Sequence, residues 1–342
     1  MVQYALLARE SANRVFGQWA PKLLRAEVLA LGPHLSKGVS DVRIEQIGGL
    51  SFATFEAESL TPTDRFILSN FALGRGLFER TRNGALSPID PTPLSWFESD
   101  LITIQRYTGK TNEQFTHLLV NLAIAASPAA HARAFEGRQV RLLDPVSGRG
   151  STLNRGLMYG FDVAGIELDE TSVEQNRIFL TTYLKDHRIK HKAERERIRK
   201  GDLAGSSAFE IAIRPESPTE RQHVRVCLAE TSLGSKLFPG KRFDVIVGDL
   251  PYGIQHSSKK GSRKGRDADR SPEQLVSDSL SGWTKLLEHG GGLALSWNIK
   301  TLTRDCLVGM LTEVGLEVVI HPESFEHEVD RQITRDLIVA TL

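Results

Sequence analysis

The sequence holds only two cysteines, Cys227 and Cys306, and no CxxC pair. That spacing excludes a disulfide framework and a cysteine-based zinc site. It has no apolar run of about eighteen residues, the length a membrane-crossing helix needs. Met1 to Asn13 carries Arg9 and Glu10 where a secretory leader would need its apolar segment, so the expected location is the cytoplasm. An excess of either charge is also missing: 43 Lys and Arg stand against 42 Asp and Glu, a net charge of +1. Only the distribution of charge can therefore point to a polyanionic partner.

That distribution is uneven. Lys185 to Lys200 contains eight Lys or Arg against three acids, +5 locally, and Lys259 to Arg270 contains six against two, +4. A solvated helix face is the plain reading of either run, and of His187 and His191, which have no carboxylate base or third ligand nearby to make a metal site. Phosphate contact is nonetheless expected of both runs, and the second starts six residues after a turn that looks functional.

That turn is Asp249-Leu250-Pro251-Tyr252-Gly253. It follows Phe243 to Val247, a short β-branched run that suits a strand covered on both faces of a parallel sheet. Ligands of open α/β sheets sit beyond the carboxyl ends of the strands, which is where this turn falls. Upstream, the strand Gln139 to Leu143 ends in Asp144-Pro145-Val146-Ser147-Gly148-Arg149-Gly150. Two glycines there let the backbone approach a ligand before a helix N-terminus. Leu153 stands where a dinucleotide fingerprint has its third glycine. The next strand, Asp162 to Ile166, delivers Glu167, placed to accept from both hydroxyls of a ribose, with Asp169 as the alternative. Gln222 to Leu228 reads as a further strand ending at Glu230, an acid suited to an adenine amine, a role for which Asp202 competes.

A glycine turn followed by an acid suits NAD or S-adenosylmethionine equally. The Asp-Leu-Pro-Tyr turn separates them: hydride transfer has no use for it, whereas methyl transfer to an exocyclic amine needs acceptors to hold the amine and a ring to stack on the base. Such a stack requires the Tyr252 ring and not its hydroxyl. Gly109-Lys110-Thr111 is not a phosphate-binding loop, since Ile104 stands where that motif needs glycine. Thr111 and Gln114 instead read as a capping box for the helix that follows.

Residues 1–100 read as a smaller α+β unit of ferredoxin-like order β-α-β-β-α-β, with Pro88 to Pro93 as the linker. Residues 105–342 form the second unit, in which Gly290-Gly291-Gly292 stops a helix and Leu293 to Trp297 is a strand. The fold class is α/β and Rossmann-like, closed by an antiparallel pair, Leu316 to His321 and Thr334 to Thr341.

With Asp144 to Thr152, Glu167 and Asp249 to Gly253 in view, residues 105–342 resemble the class I S-adenosylmethionine-dependent methyltransferases that modify exocyclic amines, closest to the tRNA guanosine N2-methyltransferase group. Members of that group carry a ferredoxin-like and THUMP region ahead of the catalytic domain. The resemblance implies the strand order 3-2-1-4-5-7-6 with an antiparallel last strand. It further implies that Lys110 to Thr116, with Thr111 and Phe115, lies beside the methionine part of the cofactor, and that the partner is RNA, specifically tRNA. Asp249, the Leu250 carbonyl, Pro251 and Tyr252 would be the catalytic turn. Asp144, Ser147, Gly148, Gly150, Glu167, Glu230 and Asp249 would join Thr111 and Phe115 in holding the cofactor. Two departures stand out: Leu250 replaces the usual proline, and about 100 upstream residues are few for both accessory modules. A DNA adenine N6-methyltransferase is the alternative enzyme, and a nucleic-acid-binding protein with a retired catalytic fold is the alternative outside enzymes.

Overall fold

The computed structural model describes residues 1–107, 109–136, 138–198, 201–252 and 271–342, with Asp202 by its backbone alone. Gly253, the basic run from Lys259 to Arg270 and the Asp202 side chain thus lie outside the described residues.

The chain opens with β1 (Val2–Ala8), α1 (Arg14–Leu31), β2 (Ser40–Ile47), β3 (Leu50–Ala57), α2 (Pro62–Ser69), β4 (Gly74–Arg80) and β5 (Leu86–Ile89). These strands form one antiparallel sheet in the order β2-β3-β1-β4-β5. Gly48 and Gly49 turn β2 into β3 with φ of 60° and 82°, the positive values that a tight hairpin demands. The proline-rich text read as a linker begins inside the sheet: Pro88 sits on the edge strand β5 opposite Phe78 of β4, and an edge strand is where proline is tolerated in a sheet.

The second unit comprises α3 (Asp100–Thr103), α4 (Glu113–Ala125), α5 (Pro128–Phe135), β6 (Arg141–Asp144), α6 (Ser151–Met158), β7 (Asp162–Glu167), α7 (Glu170–Asp186), β8 (His191–Arg197), β9 (Ser207–Ile213), β10 (Gln222–Leu228), α8 (Gly234–Leu237), β11 (Phe243–Asp249), α9 (Pro272–Thr284), β12 (Leu287–Asn298), α10 (Arg304–Glu313), β13 (Glu317–Val319), β14 (His327–Glu328) and β15 (Thr334–Thr341). Its sheet runs β13-β15-β12-β11-β6-β7-β10-β9-β8. The five strands from β12 to β10 are parallel, while β15 is antiparallel to β12 and β13, and β9 is antiparallel to β10 and β8. Alternation along the central strands divides two cores. Leu142, Val245 and Val247 face one apolar cluster with α4, α6 and α7, and Leu143 and Ile246 face the other with α9 and α10. The first cluster continues without a break into the N-terminal unit, taking in Leu23 of α1 and Phe55 of β3.

Two readings of the sequence are corrected. The basic run from Lys185 is not a helix face: α7 ends at Asp186, and His191 to Arg197 form the edge strand β8. Charged side chains suit an edge that must not recruit a neighbour, and here they pair, Arg195 with Glu174 at 2.5 Å and Arg225 with Glu196 at 3.0 Å. His187 and His191 are thereby separated, and His187 lies 3.2 Å from Asp100 while stacking on Tyr183. Secondly, Gly290 to Gly292 lie inside β12, which starts at Leu287. Gly292 is required there because a Cβ would come within 2.0 Å of the Ala123 carbonyl of α4. Among the described residues, no single helix is long and apolar enough to cross a membrane.

Candidate active site

A cavity of about 250 Å³ opens where the carboxyl ends of the parallel strands meet α9. Pro145 and Val146 after β6, Glu167 and Leu168 at β7, Glu230 after β10, and Asp249 and Pro251 at β11 line it. Three acids from three strands thus share one space.

Glu167 is held from both sides, with Gly148 N–H donating to Oε2 at 2.8 Å and Asp169 N–H to Oε1 at 2.7 Å. Burial raises its pKa, and those backbone donors oppose the shift. The alternative acid, Asp169, is committed elsewhere: it caps α7 by accepting from Ser172 N–H at 2.9 Å. Gly148 and Gly150 both have positive φ, 50° and 84°, with different surroundings. A Cβ at Gly148 would meet open space, whereas one at Gly150 would lie 1.8 Å from Asn176 Nδ2.

Asp144, Ser147 and Phe115 are buried and are not among the residues that line this cavity. Asp144 is 3% exposed and accepts from Val146 N–H at 3.0 Å, and burial pushes its pKa up to about 7. Ser147 ties the loop to β7 through its N–H and the Ile166 carbonyl at 2.9 Å. Phe115 has no exposed surface and packs against the His327 ring at 5.0 Å between centroids. Asp144 and Ser147 thus brace the loop after β6, and Phe115 packs against His327 and Arg335.

Thr111 is not the cap of α4. Asn112 is, accepting from Gln114 N–H at 2.9 Å and Phe115 N–H at 3.3 Å, which frees the Thr111 hydroxyl to donate to Asp249 Oδ2. Gln114 reaches instead to the Glu10 carbonyl at 2.7 Å. Asp249 also accepts from the Ser296 hydroxyl of β12 and from the Tyr252 hydroxyl at 2.8 Å, and the Arg335 guanidinium of β15 lies 3.8 Å away. Arg335 in turn donates to the Tyr252 hydroxyl and lies over two rings, Phe115 at 4.8 Å and Tyr252 at 5.1 Å. Burial, and then the Asp249 charge, push the Tyr252 phenol well above its ordinary pKa. Besides its ring, Tyr252 thus brings a hydroxyl that joins Asp249 and Arg335, a connection the sequence reading did not include.

Leu250 buries its side chain, 1% exposed, in the second core cluster. Its N–H donates to the Ser296 carbonyl at 2.8 Å. Proline has no N–H to give, so this chain fixes the turn by a hydrogen bond where a proline would fix it by its ring. Ser296 and Arg335 escaped the sequence reading. For Ser296 the available signal was a polar side chain inside an otherwise apolar strand, Leu293 to Trp297, whereas Arg335 stands in the polar opening Thr334-Arg335-Asp336 of the last strand, where nothing marks it out. Among the described residues no group of three or more His, Cys, Asp or Glu is arranged to hold a metal ion.

No protein-family model and no curated protein sequence matches the chain. Among solved structures, it is similar to TrmN from Thermus thermophilus, with 16% identity and a TM-score of 0.41 over 90% of this chain and 61% of that one. An rRNA methylase from Streptococcus thermophilus aligns with 10% identity and a TM-score of 0.34 over 63% of this chain and 95% of that one. SMU.1697c from Streptococcus mutans, solved in complex with SAH, aligns with 11% identity and a TM-score of 0.35 over 59% of this chain and 89% of that one. The chain thus spans 61% of the length of TrmN.

Proposed function

We propose that this chain is an S-adenosylmethionine-dependent methyltransferase acting on an exocyclic amine of a nucleobase in RNA, namely a guanine N2 amine of tRNA. The observation that carries the reading is Asp249: it ends β11, lines the same cavity as Glu167 and Glu230, and shares a hydrogen bond with the ring-bearing Tyr252.

The residues fit the cofactor. A carboxylate has about four lone-pair sites. Glu167 gives two to backbone N–H groups, so its remaining capacity matches the two hydroxyls of a ribose. Ile166, Leu168, Ala229 and Val146 supply apolar walls for an adenine, and Glu230 an acceptor for its amine. The open space at Gly148 lets backbone approach the rest of the ligand. When bound, S-adenosylmethionine supplies a methyl group already activated by its sulfonium. The chain's own residues then orient the acceptor and stabilise charge. Asp249 accepts an amine N–H, and its carboxylate strengthens that bond as the nitrogen becomes positive. The Leu250 carbonyl takes the other N–H, and the Tyr252 ring stacks on the base. The tRNA substrate rests on the resemblance of Asp144 to Thr152, Glu167 and Asp249 to Gly253 to the guanosine N2 group.

A second reading, a cofactor-binding protein that transfers no methyl, draws support from Asp249, whose carboxylate already accepts from the hydroxyls of Thr111, Tyr252 and Ser296. Tritiated-methyl transfer to total RNA and genomic DNA from a strain lacking the gene, followed by nucleoside mass spectrometry, separates these. N2-methylguanosine in tRNA is the expected product, and N6-methyladenine in DNA would reassign the polynucleotide. Cofactor binding without transfer would favour the second reading, and no cofactor binding would overturn both.

A further inference from the structure

We propose that Arg335 is a positioning residue of this site, which anchors Tyr252 through its hydroxyl and so sets the pose of the ring that meets the base. The inference rests on the methyltransferase reading and deepens it.

Donor and acceptor chemistry sets the direction. A guanidinium has donors and no acceptor, so in its bond to Tyr252 the phenol oxygen must accept. The phenol proton is then left for Asp249, whose oxygens lie 2.8 and 3.0 Å away. The chain Arg335 to Tyr252 to Asp249 therefore runs one way only. Packing holds the donor in place. The Arg335 guanidinium carbon stands 4.8 Å from the Phe115 centroid and 5.1 Å from that of Tyr252, so the group that meets the tyrosine at its hydroxyl end is itself backed by a buried ring.

The fold alone does not call for this arginine. Its side chain is 4% exposed, and its Nε–H has no partner among the described residues. A buried guanidinium so incompletely paired costs stability, and such costs persist where the group serves a site. Arg335 arrives on β15, opposite Asn298 of β12 and His327 of β14, so the antiparallel closing strand carries it to the end of β11.

Two measurements on the full chain test this. The first needs no cofactor: the sequence has only five tyrosines, so ring-labelled tyrosine NMR resolves them, with Tyr252 assigned from Tyr252→Phe. In Arg335→Met, the Tyr252 ring signals should shift and become motionally averaged while the other four stay put. Unchanged Tyr252 signals would overturn the proposal. Changes in all five would mean that Arg335 only supports the fold, which also overturns it, and Arg335→Lys provides a variant that retains the charge. The second is a double-mutant comparison of single-turnover methylation. Arg335→Met should cost about tenfold or more in the Tyr252 background and less than about twofold in Tyr252→Phe, because the hydroxyl it acts through is gone. Equal losses in both backgrounds would sink it. Ring signals that respond as expected in a wild-type protein with no transferase activity would keep the positioning and reject the methyltransferase reading.

Discussion

Thr111 and Asp249 stand 138 residues apart in the chain and share a hydrogen bond, the threonine hydroxyl donating to Oδ2. The bond joins the loop before α4 to the end of β11. It ties Thr111 to the turn for which the amine-holding role is proposed.

Thr111→Val keeps the shape and removes the donor. Hydrogen bonds to charged groups contribute about 1.5 to 3 kcal/mol, and Ser296 and Tyr252 remain to share the loss. We expect kcat to fall about tenfold, with cofactor affinity and thermal stability close to wild type. Single-turnover rates beside calorimetry check it, and an equal loss of cofactor affinity would return Thr111 to a cofactor-binding role.

What the sequence discloses of this architecture follows what a local pattern can carry. β11 is legible because Val245, Ile246 and Val247 are buried on both faces, and β10 because Val224 and Val226 alternate with polar residues. β8 is not legible, since a solvated edge strand of His, Lys, Glu and Arg has no apolar face to show. The glycine run inside β12 also misleads, because Gly292 is set by the close approach of the Ala123 carbonyl, a tertiary contact, and not by a turn. Within the site, Asp249 and Glu167 stand out as polar ends of buried strands. Thr111, Ser296 and Arg335 reach Asp249 from elements adjacent only in space, so the residue was legible and its partners were not.

Glu167 and Asp169 should separate cleanly. Glu167→Ala removes the acceptor assigned to the ribose, at a cost of about 1 to 3 kcal/mol in S-adenosylmethionine binding. Asp169→Ala removes a helix cap, costing about 1 kcal/mol of stability and leaving affinity intact. Calorimetry and urea unfolding on both variants decide this. The reverse pattern would move the ribose to Asp169.

The two loop glycines should fail differently. Gly150→Ala adds a methyl into Asn176 at positive φ, so it should lose about 2 to 4 kcal/mol of folding stability. Gly148→Ala meets no protein atom and carries only the left-handed strain of about 1 to 2 kcal/mol, but it fills space assigned to the ligand. Its affinity loss should therefore exceed its stability loss. A Gly148→Ala protein that binds the cofactor normally would take the ligand away from this loop.

Stability should rise from about pH 4 to pH 6.5. His131, His321 and His327 are each lowered to about 4, chiefly by burial. A depressed pKa means that the unfolded chain binds the extra protons, so their contribution is present above the unfolded pKa and is lost as pH falls through the folded one. Glu27 has the opposite sign. Buried in α1 and accepting from Ala72 and Leu73 N–H, it is raised by burial to about 7, so its contribution is present below the unfolded carboxylate pKa and fades as pH climbs towards 7. Glu27→Gln should steepen the rise between pH 4.5 and 6.5. Urea unfolding across that range measures it, and a shallower slope in the variant would show that Glu27 does not titrate this way.

Asp249 and Tyr252 give the most demanding comparison. Asp249 ends β11 and receives hydroxyls from Thr111, Tyr252 and Ser296, so its carboxylate is preorganised before any amine arrives. If its interaction with the amine strengthens as the nitrogen becomes positive, Asp249→Ala should lose about 3 to 4 kcal/mol, a hundredfold or more, and lose it in kcat. Cofactor affinity should change far less, because Glu167 and the Gly148 loop hold the opposite end of the cavity. Tyr252→Ala should cost about 1 to 3 kcal/mol through lost stacking and show partly in substrate affinity. Tyr252→Phe keeps the ring yet removes both the donor to Asp249 and the acceptor for Arg335, so it should cost several-fold in kcat with little change in substrate affinity. Single-turnover methylation beside substrate and cofactor affinity for the three variants separates these effects. Near-native turnover in Asp249→Ala would reduce the turn to a structural one. A Tyr252→Phe protein as weak in substrate binding as Tyr252→Ala would show that the hydroxyl, and not the ring, meets the base.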